Sequence, residues 1–220
     1  MARPSILSRE RVLSAAVAVV DREGLDALSM RRLGDELGVE AMSLYRYVAN
    51  KAALLDGVVE SILGEMPLLE PEAAPWTERV KARARALRKT LRAHPNALAL
   101  FATRPAVTPA SMAHVESSLA LFREAGFSIE DAIRAFQAVV GFTLGNTLSV
   151  FAPLAPDERS SPAYESLDAG AFPTVLAASK ALAKWNVDRE FDFGLDALVR
   201  GLAATLDEKR THKKKPRDAS

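Results

Sequence analysis

Hydrophobic positions recur every three or four residues along nearly all of the 220-residue chain. That is the spacing of amphipathic α-helices, and strand-like alternation is absent throughout. Val12, Ala16, Val19 and Val20 share one face of a first helix, capped by Ser8 and running to about Glu23, where Gly24 ends it. Ser29 caps a second, shorter helix in which Arg32 and Glu36 are spaced for a surface ion pair. Gly38 stops that helix, because glycine enters the left-handed conformation at low cost. A third short helix is predicted over residues 41–48. Asn50 then caps a longer one with Leu54, Leu55, Val58 and Ile62 as its buried stripe, closing a compact unit near Met66.

Leu33, Leu37, Val39, Leu44 and Val48 form an apolar set that meets between the two short helices. The second of them carries Ser43, Tyr45, Arg46 and Tyr47, more polar and amphipathic side chains than so short a helix needs for its own packing. A short helix offering such side chains outward after a glycine turn is the plan of a helix-turn-helix, whose second helix enters the DNA major groove. An ordinary helical hairpin is the plain alternative.

The proline-rich segment over residues 67–76 marks a boundary. Helix resumes over 77–93, with Val80, Ala84, Leu87 and Leu91 inward. The same helix carries Arg79, Lys81, Arg83, Arg85, Arg88, Lys89 and Arg92, a run expected to form a solvated face. His94-Pro95-Asn96 breaks the chain before a short apolar helix that ends at Thr103-Arg104-Pro105. Pro109 opens an amphipathic helix stopped by Gly126. Residues 128–151 form a long helix that is apolar on more than one side, which needs either a deep core or a second subunit to cover it. Residues 153–173, rich in Pro, Ser, Ala and acids, are expected to be a flexible loop that could act as a lid. Helices are predicted over 174–185 and 188–206, followed by a basic, disordered tail over 209–220. The chain thus reads as all-α, with a small domain over 1–66 and a larger one over 67–208.

Composition narrows the function. A net charge of +1 excludes a bulk polycation, so any nucleic-acid contact must come from a local patch. The chain has no cysteine, which removes disulfides and thiolate metal sites. No export signal and no run of 18 or more apolar residues is present, so a soluble, cytoplasmic protein without membrane contact is expected. His94, His114 and His212 lack the acid spacing of a metal site or catalytic triad. There is no nucleophile elbow and no phosphate loop, so neither an enzyme nor a cofactor is expected.

Residues 8–62 resemble the TetR family of bacterial transcriptional regulators. The helix RERVLSAAVAVVDREG, the segment LSMRRLGDELGV and the run LYRYVANKAALLDGVV carry the likeness. The second half is similar to the tetracycline-repressor type of ligand-binding domain, through Trp76, His94, Thr103-Arg104-Pro105, Phe122, the triplet from Gly126 to Ser128, and Phe142-Thr143-Leu144-Gly145. The resemblance implies a homodimer that sets two reading helices in successive major grooves of a near-palindromic operator, with half-sites about one helical turn apart. A ligand in the larger domain would change their spacing and release the DNA. The chain departs from the tetracycline repressor itself where that protein holds magnesium: the histidine position is Leu100 and the glutamate position is Ser149. No histidine stands near Pro67, where a drug contact is expected. Neither Leu100 nor Ser149 suits a hard cation, so magnesium–tetracycline is not the expected inducer.

For double-stranded operator DNA the candidate residues are Ser29, Arg31, Ala41, Met42, Ser43, Tyr45, Arg46, Tyr47 and Lys51. The tyrosines can donate to phosphate, Arg46 can reach guanine or phosphate, and Ala41 or Met42 can touch a thymine methyl. Lys51 stands at a helix N-terminus, where an anion is favoured. The plain alternative is that one tyrosine is only hydrophobic filler beneath the helix, and Arg3 is either a minor-groove arm or a free tail. For a small-molecule effector the candidates are Leu87, Leu100, Thr103, Arg104, Met112, Phe136, Gln137, Val140 and Asn146, a mostly apolar set with few polar anchors. Plain core packing is the alternative for each apolar member. The helices over 129–151 and 191–206 are the expected dimer contact. An activator, a regulator without an inducer, and a helical small-molecule carrier are the competing functions.

Overall fold

The computed structural model describes residues 7–67, 74–153, 164–182 and 184–214. Ten α-helices and no strand occur among them: α1 (Arg9–Glu23), α2 (Met30–Leu37), α3 (Ala41–Leu44), α4 (Lys51–Gly64), α5 (Trp76–Ala93), α6 (Leu98–Thr103), α7 (Pro109–Glu124), α8 (Ile129–Phe151), α9 (Pro173–Leu182) and α10 (Val187–Lys214). None of the described helices is long and apolar enough to cross a membrane. Arg3 and residues 154–163 of the expected loop lie outside the described residues.

Side-chain caps set most of the helix starts. The Ser8 hydroxyl accepts from the Arg11 amide at 3.3 Å, Ser29 from Arg32 at 3.1 Å, and the Asn50 carboxamide oxygen from Ala53 at 2.8 Å. Each cap of this kind stabilises its helix by about 1 kcal/mol, because it satisfies an amide with no partner inside the helix. Gly38 ends α2 with φ 67°, a left-handed turn. Gly34 does a different job: a Cβ there would stand 2.8 Å from the Val39 carbonyl oxygen, so only glycine lets the turn fold back against α2.

The third helix is shorter than its sequence suggests. Regular α-helix ends at Leu44, whose carbonyl then accepts from both Tyr47 and Val48 at 2.9 and 3.1 Å. The chain must leave the helix here, since Asn50 needs an extended backbone to cap α4.

Val12, Val19, Val20, Leu28, Leu33, Leu44, Leu54, Val58 and Ile62 are fully buried in the first core. Ala97 and Leu100, from beyond the proline-rich boundary, complete it. The second core gathers Val80, Phe122, Phe127, Ala135, Val139, Phe191, Leu195 and Val199. Trp76, Phe122 and Phe127 meet edge to face with centroids 5.4–6.2 Å apart. Each such pair adds about 0.5–1.5 kcal/mol to simple burial.

Two expectations about charge are corrected. The basic run of α5 is in large part paired rather than solvated. Asp188, Asp192 and Asp196 recur every four residues on α10 and meet Arg88 and Arg92, Arg85, and Lys81 at 2.5–2.8 Å. Arg88 is buried, with its guanidinium 4.5 Å from the Phe191 ring centroid. Arg83 is buried as well, donating to the Ser117 hydroxyl and the His114 carbonyl. The spacing within α5 cannot show an acidic partner about a hundred residues away. The basic end of the chain is also helical as far as Lys214. Lys209 reaches Asp131 of α8 at 2.6 Å, and Arg210 reaches the Ala125 carbonyl at 2.6 Å.

Candidate functional site

On the N-terminal unit the turn after α2 and the cap of α4 hold α3 at the surface. Met42 is 73% exposed and Tyr45 44% exposed. Arg31, Arg46 and Lys51 are exposed too, and no ion pair engages them among the described residues. Ala41, Ser43 and Ser29 are half-buried, and the Ser29 hydroxyl accepts at the α2 cap while keeping its proton free to donate. Tyr47 packs against the first core, so its ring supports α3 from beneath. The remaining candidates therefore form one outward face of short, aromatic and cationic side chains.

Beside this face Arg32 is already engaged. It donates to Glu23 at 2.6 and 2.8 Å and to Glu36 at 2.7 Å, and Arg22 joins both carboxylates. The hydrogen bonds from Arg32, then Arg22, hold the Glu23 carboxyl down at about 2. This network ties α1 to α2 and leaves Arg31, not Arg32, as the free cation of that helix.

α5, α6, α7 and α8 of the larger unit, together with α4, line a partly open cavity of about 430 Å³. Its walls are mainly apolar, among them Val59, Leu63, Leu87, Phe101, Phe136 and Val140. Among the described residues no Asp or Glu lines it. Of the nine residues expected to meet an effector, Leu87, Arg104, Met112, Phe136 and Val140 stand on the cavity wall. The other four do not. Leu100 points into the first core, while its neighbour Phe101 lines the cavity. Thr103 is exposed and bonds back to the Ala99 carbonyl at 2.8 Å. Gln137 lies on the solvent side of α8. Asn146 is also off the wall, and its carboxamide oxygen is buried without a partner. On an almost uniformly apolar helix, sequence spacing alone gives no sign of which side meets the cavity.

Sequence reasoning missed a buried polar group of the wall that has no partner. His114 is 9% exposed, and its Nδ1 is buried without a hydrogen-bond partner. Burial, followed by the neighbouring Arg83 charge, lowers its pKa and keeps the imidazole neutral. Ser111, His114, Ser118 and Leu121 recur at three and four residues along α7, a spacing that does place His114 inward.

The cavity and the outward face share supports. Leu54, Val58 and Ile62 of α4 sit in the first core, while Val59 and Leu63 line the cavity. Arg104, just after α6, forms an ion pair with Asp56 of α4, and Arg9 of α1 grips Glu60 of α4 at 2.7 and 2.9 Å. His94 closes the joint. Its Nδ1 lies 2.8 Å from Asp21 of α1 and its Nε2 3.1 Å from Glu65 after α4. Burial opposes a charge on His94, but the Glu65 and Asp21 carboxylates outweigh it and raise the pKa.

Comparison with known proteins agrees with this layout. Residues 12–58 match the family described as "Bacterial regulatory proteins, tetR family", and residues 67–206 match "Tetracyclin repressor-like, C-terminal domain". An HTH-type transcriptional regulator of Saccharopolyspora erythraea is 34% identical over 203 residues, covering 91% of this chain and 86% of its own. A class E tetracycline repressor protein of Escherichia coli is 32% identical over 213 residues, covering 93% and 94%. The crystal structure of the Streptomyces coelicolor TetR family protein ActR in complex with (S)-DNPA superposes with a TM-score of 0.79 at 32% identity, covering 93% of this chain and all of that one.

Proposed function

The chain belongs to the TetR family of bacterial regulatory proteins, and on that premise we propose that it is a homodimeric repressor released from its operator by a mainly apolar small molecule. One observation carries this reading: α4 is built into both sites. Its N-terminus presents Lys51 beside the outward face, and its far turns form part of the cavity wall. A ligand that pushes on Val59 or Leu63 acts on the same rigid rod whose Leu54, Val58 and Ile62 share the first core with Leu44 of α3. The Arg104–Asp56 pair transmits a shift of α6 to α4 as well. Packed cores of this kind respond by switching arrangement, because close-packed side chains resist gradual deformation.

Tyr45 and Arg46 would read the DNA, with Arg31, Lys51 and the hydroxyls of Ser29 and Ser43 on phosphates. Met42 and Ala41 offer an apolar contact for thymine methyl groups. The dimer would form through α8 and α10. Ile133 and Phe193 are exposed there, and Gly141 and Gly145 leave open space on the same side of α8.

Magnesium–tetracycline fits this cavity poorly. A hard cation needs several oxygen ligands, and among the described residues the wall holds no carboxylate. Leu100 is turned away, and the Ser149 hydroxyl is exposed and donates to the Asn146 carbonyl.

The test is fluorescence anisotropy of the purified chain on DNA from upstream of its own gene, against random DNA, across a salt series. A repressor binds the first selectively at every salt concentration, while overall affinity falls steeply as salt rises. Equal, weak binding to both DNAs, with tight binding of apolar compounds, would instead describe a small-molecule carrier.

A further inference from the structure

Almost every polar group on the cavity wall already has a hydrogen-bond partner. Ser118 donates to the His114 carbonyl at 2.7 Å and Thr143 to the Val139 carbonyl at 2.8 Å. Ser111 is tied into the cap of α7 through Thr108. Arg104 is paired with Asp56, and Arg83 holds Ser117 and the His114 carbonyl. His114 differs: it is nine-tenths buried on the wall and its Nδ1 has no partner. A buried nitrogen of this kind is costly to leave unmet, so a structure that keeps it needs a reason.

We infer that His114 is the polar anchor of the effector, and that the effector is an apolar carboxylic acid whose carboxylate seats against the His114 imidazole. This rests on the reading of the cavity as the effector site. A carboxylate entering this space would be unstable without a cation, and among the described residues the wall offers no competing acid to repel it. The imidazole can supply that cation by taking one proton from solvent as the ligand arrives. Imidazolium and carboxylate then form a charge-assisted hydrogen bond in a water-poor setting, where such bonds are strongest. The charged groups around His114 are few. Arg83 faces it from α5, and Arg104 lines the wall beyond, with Asp56 of α4 as partner; the residues of α4 and α8 that line the cavity are uncharged. Arg83 disfavours a proton on empty His114. A bound carboxylate reverses that balance, so binding takes up a proton.

The test uses the full-length protein and three probe acids, naphthoic, biphenylcarboxylic and anthracenecarboxylic acid, each beside its methyl ester. Calorimetry should give at least one acid an affinity about tenfold above that of its ester, rising further from about pH 8 to about pH 6. His114→Leu should lower that acid to the level of its ester and leave ester binding within about twofold, which shows that the cavity is still formed. His114→Gln should retain part of the preference. Equal binding of acid and ester, preference for the ester, no binding by any probe, or an acid preference that survives His114→Leu overturns the inference. The same titrations on the DNA complex separate it from the reading beneath it. Acids that bind through His114 yet leave operator affinity unchanged would sink ligand release and spare the anchor.

Discussion

Around α1 to α4, Val12, Val19, Leu33, Leu44 and Leu54 are fully buried against one another. In the larger unit, Leu87, Phe136 and Val140, residues of similar chemistry, surround about 430 Å³ of open space. The first unit has Gly34 of α2 in contact distance of backbone, three of its four helix starts capped by side chains, and α1 and α2 tied by the Glu23–Arg32–Glu36 network. The second keeps a buried imidazole nitrogen of His114 and a buried carboxamide oxygen of Asn146 without partners. A reading head must hold fixed spacing to match a groove, so it gains from close packing. A sensor must gain stability when a ligand arrives, so it retains unfilled apolar surface and unmet polar groups for the ligand to satisfy.

Truncating the tight half should cost most. Leu33→Ala is expected to destabilise the protein by about 2–5 kcal/mol in denaturant unfolding, because no space exists for the core to relax into. If it costs no more than a cavity-wall truncation such as Val140→Ala, the contrast between the halves is lost. Gly34→Ala comes next, at about 1–3 kcal/mol, since its methyl group meets the Val39 carbonyl rather than a movable side chain. DNA affinity should fall with it, as the turn that aims α3 is displaced.

Arg46→Ala should leave the melting temperature alone and weaken operator binding by about 1–3 kcal/mol, with selectivity relaxed at one base step if Arg46 reads a base. Lys51→Ala should weaken all sequences alike and reduce the salt slope by about one. An unaltered DNA affinity in both variants would remove α3 and the start of α4 from the interface.

The joint between the halves carries a pH dependence. The folded-state pKa of His94 is raised above its ordinary 6.5, so its clasp of Asp21 and Glu65 stabilises fully below that value and is lost as pH climbs through the higher folded value. Buried His114, with its lowered pKa, contributes the opposite slope, so the sharper measure is the difference in thermal melts between the parent and His94→Asn, which should shrink from about pH 6 to about pH 8. A difference that stays constant would assign the dependence elsewhere. The smallest effect is expected at the cavity: Val140→Leu adds a methylene where space exists and should shift stability by less than about 1.5 kcal/mol, while reducing affinity for any ligand that fills the site.

Local chemistry was legible in the chain from the start. Ser8, Ser29, Asn50 and Ser128 mark helix starts because a cap bonds within three residues of itself. Gly38 marks a stop because its conformation depends on its own backbone. Met42, Tyr45 and Arg46 stand out because a four-residue helix has no room to bury them. The cavity was less legible. Leu100 and Phe101 are adjacent and similar in chemistry, yet one completes the first core and the other lines the cavity. Gln137 drew attention as an amide on an apolar helix, but it stands on the exposed side of α8 with Ile133 and Gly141, away from the cavity.

The sequence by itself therefore determined the all-α class, the helix-turn-helix, the family and the outward chemistry of α3, all of which rest on contacts within a few residues. Tertiary structure alone decided which face of α8 looks inward, that the α5 cations meet Asp188, Asp192 and Asp196, and that His114 is left without a partner. Those outcomes depend on packing between separate helices, up to about a hundred residues apart in the chain. Periodicity states that a helix has two faces; only its neighbours in space decide what each face meets.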